Sequence, residues 1–443
     1  MMRTATRHSR TVTRGGVAVL TAALLAAGLT APAGASTAAD DPSDPMQAAL
    51  DGVTGAGIPG AVAATDDDGP AWRGHSGVGS LLTKKEPDAD GRFRIASVSK
   101  PFTATLVLQL ADERRIGLDD DIDRHLPGLL PYDEPITVRQ LLQHTSGVPR
   151  DLPPHLTWES LPEIATERFH SYTPERMVRA STQQPLLFEP GTIYAYSNTG
   201  YTVLAMLVEK VTGTSFESAL AERITGPLQL DDTASMRDFP LVRGATGRAY
   251  EQLFPEPVPR TDVTEYNYSR YIGSGSMISS ADDVNRFFAA LFGGELLSAD
   301  MLREMTTDLV PGTMPDGSYA GFDYGLGVYR MSFGDECGAA WGHDGSLPGS
   351  GTISVHRYAG DTPEAPAADP EAASGVTLNI NQNMTAPEPA AAAVWEVATT
   401  ALCGDGAAGR SAAETPTPQH GPALADATAT AAVGSYAHGH GNS

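Results

Sequence analysis

The chain has 443 residues, of which 41% are hydrophobic and 19% are charged, a composition that suits a globular protein with a large buried core. It carries 54 acidic against 30 basic residues, a formal net charge of −24 at pH 7. Such a surface repels nucleic acid and anionic lipid, so neither is predicted as a partner, and the plain interpretation of the charge is solubility.

The first 35 residues have the pattern of a secretory signal peptide. Four arginines without any acidic residue precede an apolar run at residues 16–29, and the small residues of Ala33 to Ala35 form a cleavage site. The run is too short for a membrane span, and no later stretch is long and apolar enough to be one. We therefore predict a secreted, extracellular protein, cleaved near Ala35, without stable membrane insertion.

Apolar periodicity outlines the first two thirds of the mature chain. A helix is predicted from about Pro45, and two strands, Gly60–Thr65 and Ala71–Gly77, follow around an acidic turn. From Ser97 to about residue 280 the pattern is mostly helical. Two segments there space apolar residues at i, i+3 and i+4, which predicts helices over Ile136–Val148 and Thr199–Gly213.

Strand patterns return in the last third. Strands are predicted at Tyr324–Met331, Gly349–Tyr358 and Gly375–Asn383, and a final helix at residues 386–404 begins with proline near its start. An insert rich in alanine, proline and acids separates the last two strands, and it is predicted to be a long, mobile hairpin loop.

Strand runs joined by hairpins favour an antiparallel sheet. The predicted fold class is α/β (α+β), with an antiparallel sheet flanked by helices and an inserted, mainly helical subdomain. The α/β part comprises residues of about 45–95 and 310–403, the helical part about 96–309, and together they form a domain over 36–403. Residues 404–443 lack periodicity and are predicted to be a disordered tail.

The chain contains two cysteines, Cys337 and Cys403. In an exported protein an isolated pair is typical of a disulfide rather than of a metal site. No group of histidines and cysteines has the spacing of a zinc site, so we predict no metal and no cofactor.

The stretch RIASVSKPFTATLVLQL places one of four lysines at the start of an apolar helix. Residues three apart share a helix face, so the Lys100 amine would lie beside the Ser97 hydroxyl. A desolvated lysine can take the serine proton and so activate a nucleophile, and the helix start favours developing negative charge. The alternative is a capping serine beside a solvated lysine.

Two later stretches supply further polar groups. Tyr196 and Asn198 follow a Glu-Pro-Gly turn, where a phenol can relay a proton and an amide can bond both a lysine and a substrate. The alternative is a buried loop tyrosine with a turn asparagine. His343 and Gly345 lie just before or on a strand, and there the glycine would let a ligand approach the backbone. A histidine by itself would carry no meaning.

In this order, Ser-x-x-Lys, Tyr-x-Asn and His-x-Gly resemble the motifs of the serine β-lactamase and penicillin-binding superfamily, class C branch. The chain is most similar to the secreted D-alanyl-D-alanine carboxypeptidases over about residues 45–403, including the stretches ITVRQLLQHTSGV, FEPGTIYAYSNTGY, YGLGV and GHDGS. The resemblance implies a β-lactamase/transpeptidase-like fold, and its enzymes place a disulfide where the two cysteines fall.

The resemblance also implies an acyl-enzyme hydrolase. Ser97 would attack a D-Ala–D-Ala peptide bond or a β-lactam ring that mimics it. Lys100 and Tyr196 would share the role of general base and then pass the proton to the leaving amine, in an order that the sequence leaves open. The backbone N–H groups of Ser97 and Ser346 would bind the oxyanion.

Substrate contacts follow from the same resemblance. Asn198 would orient the acyl amide, while Ser346 and His343 would face the far end of the substrate. Gly345 would let the substrate approach the backbone of the cleft closely. Because histidine is partly charged near neutrality, a protonated His343 would help to hold a carboxylate, and binding would weaken as pH rises.

Three positions depart from the family pattern. The family places an arginine for the substrate carboxylate on the strand after Tyr-Gly-Leu-Gly, and the matching position here is Tyr329. The adjacent Arg330 is therefore our candidate, although adjacent strand residues point to opposite faces. Arg150 stands in place of a small hydroxyl, and Arg270 stands where an aromatic residue is expected.

Three hypotheses follow. The first is a secreted serine DD-carboxypeptidase that binds penicillin, with small peptides, β-lactams and peptidoglycan precursors as partners. The second keeps the chemistry on another substrate, as a class C-like β-lactamase, an esterase or a D-peptide hydrolase. The third is a non-catalytic module that binds penicillin or peptidoglycan, and the complete set of motif residues argues against it.

Overall fold

The computed structural model describes residues 44–66, 71–150, 168–313, 317–334, 337–357 and 375–404. The signal peptide, the insert between the last two strands and the C-terminal tail lie outside the described residues, apart from one or two residues at their edges, and remain predictions. Among the described helices, none has the length and apolar character needed to cross a membrane.

Helices and strands alternate irregularly along these ranges. The helices are, in chain order, α1 (Pro45–Gly55), α2 (Ser99–Asp112), α3 (Val138–Leu142), α4 (Pro174–Ser181), α5 (Asn198–Thr212), α6 (Phe216–Leu220), α7 (Ala281–Phe292), α8 (Ala299–Thr306) and α9 (Glu388–Cys403). The strands are β1 (Gly60–Asp66), β2 (Arg73–Gly77), β3 (Phe93–Arg94), β4 (Ala234–Ser235), β5 (Tyr250–Glu251), β6 (Thr261–Asp262), β7 (Met277–Ser279), β8 (Val310–Thr313), β9 (Tyr319–Tyr324), β10 (Tyr329–Ser332), β11 (Ala339–Leu347), β12 (Ser350–His356) and β13 (Gly375–Ile380).

A sheet of eight antiparallel strands, in the order β2-β1-β13-β12-β11-β10-β9-β8, is the framework of the fold. Strand β1 pairs with β13, with Ala63 opposite Leu378, so segments from the two ends of the described chain lie side by side. On the other edge of β13, Ile353 of β12 lies opposite the same leucine. The predicted mixed fold with an antiparallel sheet is confirmed.

Helices cover both faces of the sheet, and β1 shows why its sequence lacks polar alternation. Ala61 and Ala63 pack into the cluster that contains α1 and α9, whereas Val62 and Ala64 pack into the cluster that contains α2 and α7. Both side-chain directions are therefore buried, and a strand buried on both faces is apolar throughout.

Helix α2 lies at the centre of the second cluster. It buries eleven of its fourteen residues, and the ring of Phe102 stacks on Phe287 of α7 with 3.6 Å between the centroids. A helix that is buried on all sides has no solvent face for an ordinary lysine. Lys100 therefore needs partners inside the protein.

Two predicted elements have different bounds in the structure. The predicted helix Ile136–Val148 is helical only over Val138–Leu142, because His144 and Gly147 take left-handed backbone conformations, with φ of 61° and 72°. The predicted strand Tyr324–Met331 is instead the end of β9, a turn and the start of β10. Gly327 in that turn has φ 92°, and a Cβ there would lie 2.3 Å from Ala104 of α2.

The predicted disulfide is present and joins Cys337 to Cys403. It ties the last residue of α9 to the segment that leads into β11. Because β11 carries the His-x-Gly motif, the disulfide anchors one end of that strand to the helix layer behind the sheet.

Candidate active site

Ser97 lies in a 3-10 turn, Ala96–Val98, that precedes α2. Lys100 lies at the start of the helix, as predicted. The helix begins at Ser99, and its N-cap, Val98, makes no side-chain capping bond, so the capping alternative is wrong. Ala96 is left-handed, with φ 49°, a conformation that non-glycine residues seldom adopt and that recurs at functional sites. The turn leaves Ser97 half-exposed among buried neighbours.

Lys100 is fully buried, and its Nζ has three oxygen partners. It lies 3.0 Å from Ser97 Oγ, 2.7 Å from Asn198 Oδ1 and 2.9 Å from the carbonyl oxygen of Ser274. The two amide oxygens can only accept hydrogen bonds. The three N–H groups of an ammonium match these three acceptors. When the amine is neutral, its two N–H groups can serve the two amide oxygens, and its lone pair can then accept the Ser97 proton. This is the geometry of a base poised to take the serine proton.

Tyr196 completes the group from the opposite side. The Ser97 hydroxyl acts on the pKa of its phenol, and the Lys100 amine lies 4.5 Å from its ring centroid. Burial raises the pKa of Tyr196 well above its usual range, against the opposing effect of the Ser97 hydrogen bond. The phenol is therefore neutral at physiological pH, and it is better suited to donate a proton in a relay than to act as a general base.

His144 is a site-adjacent residue that the sequence did not indicate. Its ring lies 4.3 Å from the ring of Tyr196, and its Nδ1 accepts a 3.0 Å hydrogen bond from the backbone N–H of Ser197. Burial and the nearby Lys100 charge hold the pKa of His144 well below its ordinary value. This neutral ring supports the Tyr196 loop, and its partners lie more than fifty residues away, so no local pattern signals it.

His343 lies on β11 and is fully buried, with Nε2 3.0 Å from the hydroxyl of Tyr324. Burial, with a smaller effect of the Lys100 charge, lowers the pKa of His343 to about 3. The prediction that this histidine is partly charged near neutrality is therefore wrong. Its side chain cannot hold a carboxylate by charge between pH 5 and 8.

The buried neutral state of His343 makes the stability of the protein pH-dependent. The unfolded chain takes up a proton at this residue near pH 6.5, whereas the folded protein does so only near pH 3. The contribution of this histidine to the free energy of unfolding is therefore fully present above pH 6.5. It falls by about 1.4 kcal/mol for each pH unit as the pH drops from 6.5 towards 3. Urea unfolding of the wild type and His343→Asn at pH 7, 6 and 5 measures the slopes; equal slopes would contradict this assignment.

Gly345 faces the nucleophile turn rather than open space. A Cβ at this position would lie 2.3 Å from the carbonyl oxygen of Ile95 and 2.9 Å from the Ser97 nitrogen. The glycine is thus required by the protein's own backbone, and the expected close approach of a ligand at this position stays a prediction. Pairing of β11 with β10 ends at Gly342, so the following residues of β11 run past the nucleophile turn.

Ser346 is held by a network behind β11. Its Oγ accepts a hydrogen bond from Asn383 Nδ2. The segment that carries Asn383 is bound in turn by the buried Glu251 carboxylate, which accepts hydrogen bonds from the backbone N–H groups of Met384 and Thr385, at 2.9 Å each, and of Gly349 at 2.6 Å. This carboxylate fixes both the β11–β12 turn and the loop after β13.

Arg330 is not brought to the other candidate residues. It lies half-buried on β10 between Asp323 and Trp341, and the described residues show no contact between it and Ser97, Lys100 or Tyr196. The arginine that does contact the site is Arg150, whose guanidinium carbon lies 5.1 Å from the Tyr196 ring centroid. Within the described ranges, no cluster of three histidine, cysteine or acidic side chains could hold a metal ion.

Comparisons with known proteins show which proteins this chain resembles. A penicillin-binding protein of Bacillus subtilis (strain 168) is 30% identical over 64% of this chain, and the match spans 62% of that protein's length. Penicillin-binding protein 4 of Amycolatopsis lactamdurans is 30% identical over 67% of this chain and 80% of its own.

Two solved structures are also similar. A D-stereospecific amidohydrolase from Streptomyces sp. has 31% identity and a TM-score of 0.68 over 81% of this chain and 98% of its own. A D-amino acid amidase from Ochrobactrum anthropi SV3, in complex with L-phenylalanine amide, has 27% identity and a TM-score of 0.66. The match covers 80% of this chain and 96% of the amidase chain.

The family model for Beta-lactamase matches residues 46–399, which is most of the chain. The match includes the Ser-x-x-Lys, Tyr-x-Asn and His-x-Gly stretches on which the resemblance was based. The chain thus belongs to the Beta-lactamase family, within the serine β-lactamase and transpeptidase superfamily, and is a serine hydrolase of that superfamily.

Proposed function

We propose that this protein is a secreted DD-carboxypeptidase that hydrolyses D-Ala–D-Ala peptides through an acyl-enzyme on Ser97. The observation that carries the proposal is the 3.0 Å contact of the buried Lys100 Nζ with Ser97 Oγ, with the Tyr196 ring centroid 4.5 Å from the same amine. Nucleophile and base within hydrogen-bond reach, each oriented by a further group, are the signature of nucleophilic catalysis.

In the acylation step Lys100 takes the proton of Ser97 as its oxygen attacks the scissile carbonyl carbon. The C–N bond of the tetrahedral intermediate then breaks, and the leaving nitrogen receives its proton from the Tyr196 hydroxyl. The proton that Lys100 took from Ser97 then restores the phenol. Water attacks the resulting ester in the second half, with the same groups acting in reverse. The neutral state of the phenol suits this donor role.

The oxyanion is bound in this scheme by the backbone N–H groups of Ser97 and Ser346. The support for this site is the close approach of the β11 backbone at Gly345 to the Ser97 nitrogen. Asn198, half-exposed and bonded to Lys100 through Oδ1, lies where its side chain can orient the acyl amide.

The substrate class is supported by what the relatives have in common. Two relatives are named for penicillin binding, and two similar structures are named for D-stereospecific or D-amino acid amide substrates. A D-configured acyl donor is consistent with all four names. The amidase names favour a second candidate, hydrolysis of D-amino acid amides by the same Ser97 chemistry, and secretion is supported by the leader sequence.

A labelled penicillin tests the proposal directly. Mixing it with the purified protein should give a lasting adduct on Ser97, because the leaving amine of an opened β-lactam stays tethered and hinders the second half of the reaction. D-Ala should then be released from an N-acylated D-Ala–D-Ala peptide. Rapid turnover of the penicillin would indicate a β-lactamase, and absence of both adduct and D-Ala release would refute the proposal.

A further inference from the structure

Glu251 is a carboxylate inside the protein that the proposed mechanism does not use. It lies on β5 and is completely buried, and its Oε1 accepts hydrogen bonds from the backbone N–H groups of Gly349, Asn383 and Met384, at 2.6, 3.3 and 2.9 Å. Its Oε2 accepts the backbone N–H of Thr385 at 2.9 Å and also the hydroxyl of that residue. The described residues place no lysine or arginine among these partners.

Every one of these partners is a hydrogen-bond donor, and this set of partners fits the ionised carboxylate alone. The Thr385 hydroxyl already accepts N–H groups of Gln252 and Gln382, at 2.7 and 3.2 Å, which leaves its proton for Glu251. Burial raises the pKa of Glu251, and the hydrogen bonds from Thr385, Gly349 and Met384 oppose that rise. An amide or a protonated acid would turn a donor towards another donor and leave buried groups unpaired.

Two routes lead from this carboxylate to Ser346. The first is the turn between β11 and β12, which contains Gly349 and is pressed against β5, since a Cβ at this glycine would lie 2.6 Å from the Cβ of Ala249. The second is Asn383, whose Nδ2 donates to Ser346 Oγ while its backbone N–H donates to Glu251. One carboxylate therefore holds Ser346 both along its own strand and through a neighbouring loop.

The direction of the Ser346 N–H matters because this group is one of the two assigned to the oxyanion. Such a donor must point to the place where negative charge develops, and a hydrogen bond weakens steeply as its angle worsens. Beyond Gly342, β11 has no pairing with β10. The orientation of this N–H therefore depends on the elements behind β11.

We propose that Glu251 is a positioning residue whose ionised carboxylate keeps the Ser346 N–H aimed at the oxyanion. The inference rests on the proposed function, which assigns that N–H its role. Neither Ser97 nor Lys100 is among the described partners of Glu251, so the carboxylate acts through the β11–β12 turn and through Asn383. Acylation and deacylation both pass through a tetrahedral oxyanion, and both steps need the aimed donor.

Glu251→Gln in the full-length protein tests this role, because it keeps the shape of the side chain and replaces one acceptor by a donor. For an N-acylated D-Ala–D-Ala peptide, kcat should fall by about 10- to 100-fold, part of the 10²- to 10³-fold cost of losing an oxyanion donor altogether. KM should stay within about twofold, because the interaction is made only in the transition state. The matched control is Glu256→Gln, an exposed glutamate in the loop between β5 and β6, which should leave both constants unchanged.

Two inhibitors separate positioning from general damage to the cleft. A boronic acid that carries the same acyl group adds to Ser97 Oγ and becomes a tetrahedral anion with an oxygen in the oxyanion position. Its inhibition constant should rise in Glu251→Gln by about the factor that kcat/KM loses. A reduced peptide, with a methylene in place of the scissile carbonyl, has no oxygen for this position, and its inhibition constant should change by less than about twofold.

Asn383→Ala cuts only the second route and leaves the carboxylate and its turn in place. It should lower kcat by about three- to tenfold, with the same difference between the two inhibitors, and it serves as the test if Glu251→Gln does not fold. An unchanged kcat in either folded variant, or equal weakening of both inhibitors, would overturn the inference. Failure of the proposed function looks different, because the wild type would then release no D-Ala and form no penicillin adduct.

Discussion

Replacing Lys100 by methionine should lower kcat/KM by about a thousandfold or more, the upper range for losing a general base. The loss should be equally large for a D-Ala–D-Ala peptide and for a p-nitrophenyl ester of the same acyl group. Both reactions need an activated Ser97, and Lys100 Nζ is its 3.0 Å partner. Steady-state kinetics on the two substrates measure the effect.

The structure offers a matched control on α5. Lys210→Met makes the same change at an exposed lysine and should leave both rates within about twofold, as is usual for isolated surface changes. Lys100→Met also leaves the buried carbonyl oxygen of Ser274 without its donor, which costs stability. The unfolding midpoint of this variant must therefore be measured together with its rates. A folded variant with near-normal ester hydrolysis would contradict the assignment of Lys100 as base.

A double variant sharpens this test. Residues that act as a unit are not additive, so Ser97→Ala and Ser97→Ala/Lys100→Met should be equally inactive. If the double variant were slower than Ser97→Ala by the same factor that Lys100→Met costs by itself, then the lysine would act independently of this serine. The 3.0 Å contact between the two side chains would then have no part in the reaction.

The sequence predicted the elements whose cause is local. The i, i+3, i+4 pattern gave α5 to within one residue at its start, because that helix buries a continuous apolar stripe and begins at an N-cap, Ser197. The same pattern failed for Ile136–Val148, where the left-handed backbone of His144 ends the helix. A histidine signals no such turn, since the conformation is imposed by tertiary contacts with the Tyr196 loop.

The candidate site also has some features that local sequence patterns predict and others that depend on the whole fold. Ser97 and Lys100 are three residues apart, so their contact follows from chain geometry, and motif order placed Tyr196 and His343 near them. The charge state of His343 could not be predicted, because it depends on complete burial beside Lys100. Arg150, and not Arg330, contacts Tyr196 because of where β10 and the loop before residue 151 lie in the fold, and spacing along the chain carries no such information.

Replacing Tyr196 by phenylalanine should separate the two substrates that Lys100→Met affects alike. The ring and its 4.3 Å contact with His144 remain, and only the hydroxyl is lost. Hydrolysis of the peptide should fall by about 10²- to 10³-fold, because an amine leaves only when it is protonated. In kcat/KM, which reports acylation, the p-nitrophenyl ester should lose less than about tenfold, since its leaving group needs no proton.

Tyr194→Phe is the matched control, because it removes a buried hydroxyl two residues away that has no hydrogen-bond partner within the described structure. That variant should keep both activities and at least its wild-type stability, since a buried unsatisfied hydroxyl costs free energy. Equal losses on peptide and ester in Tyr196→Phe would instead make the phenol the base for Ser97. Its raised pKa argues against that role, because a phenolate would have to exist, at a large cost, beside its serine before the substrate arrives.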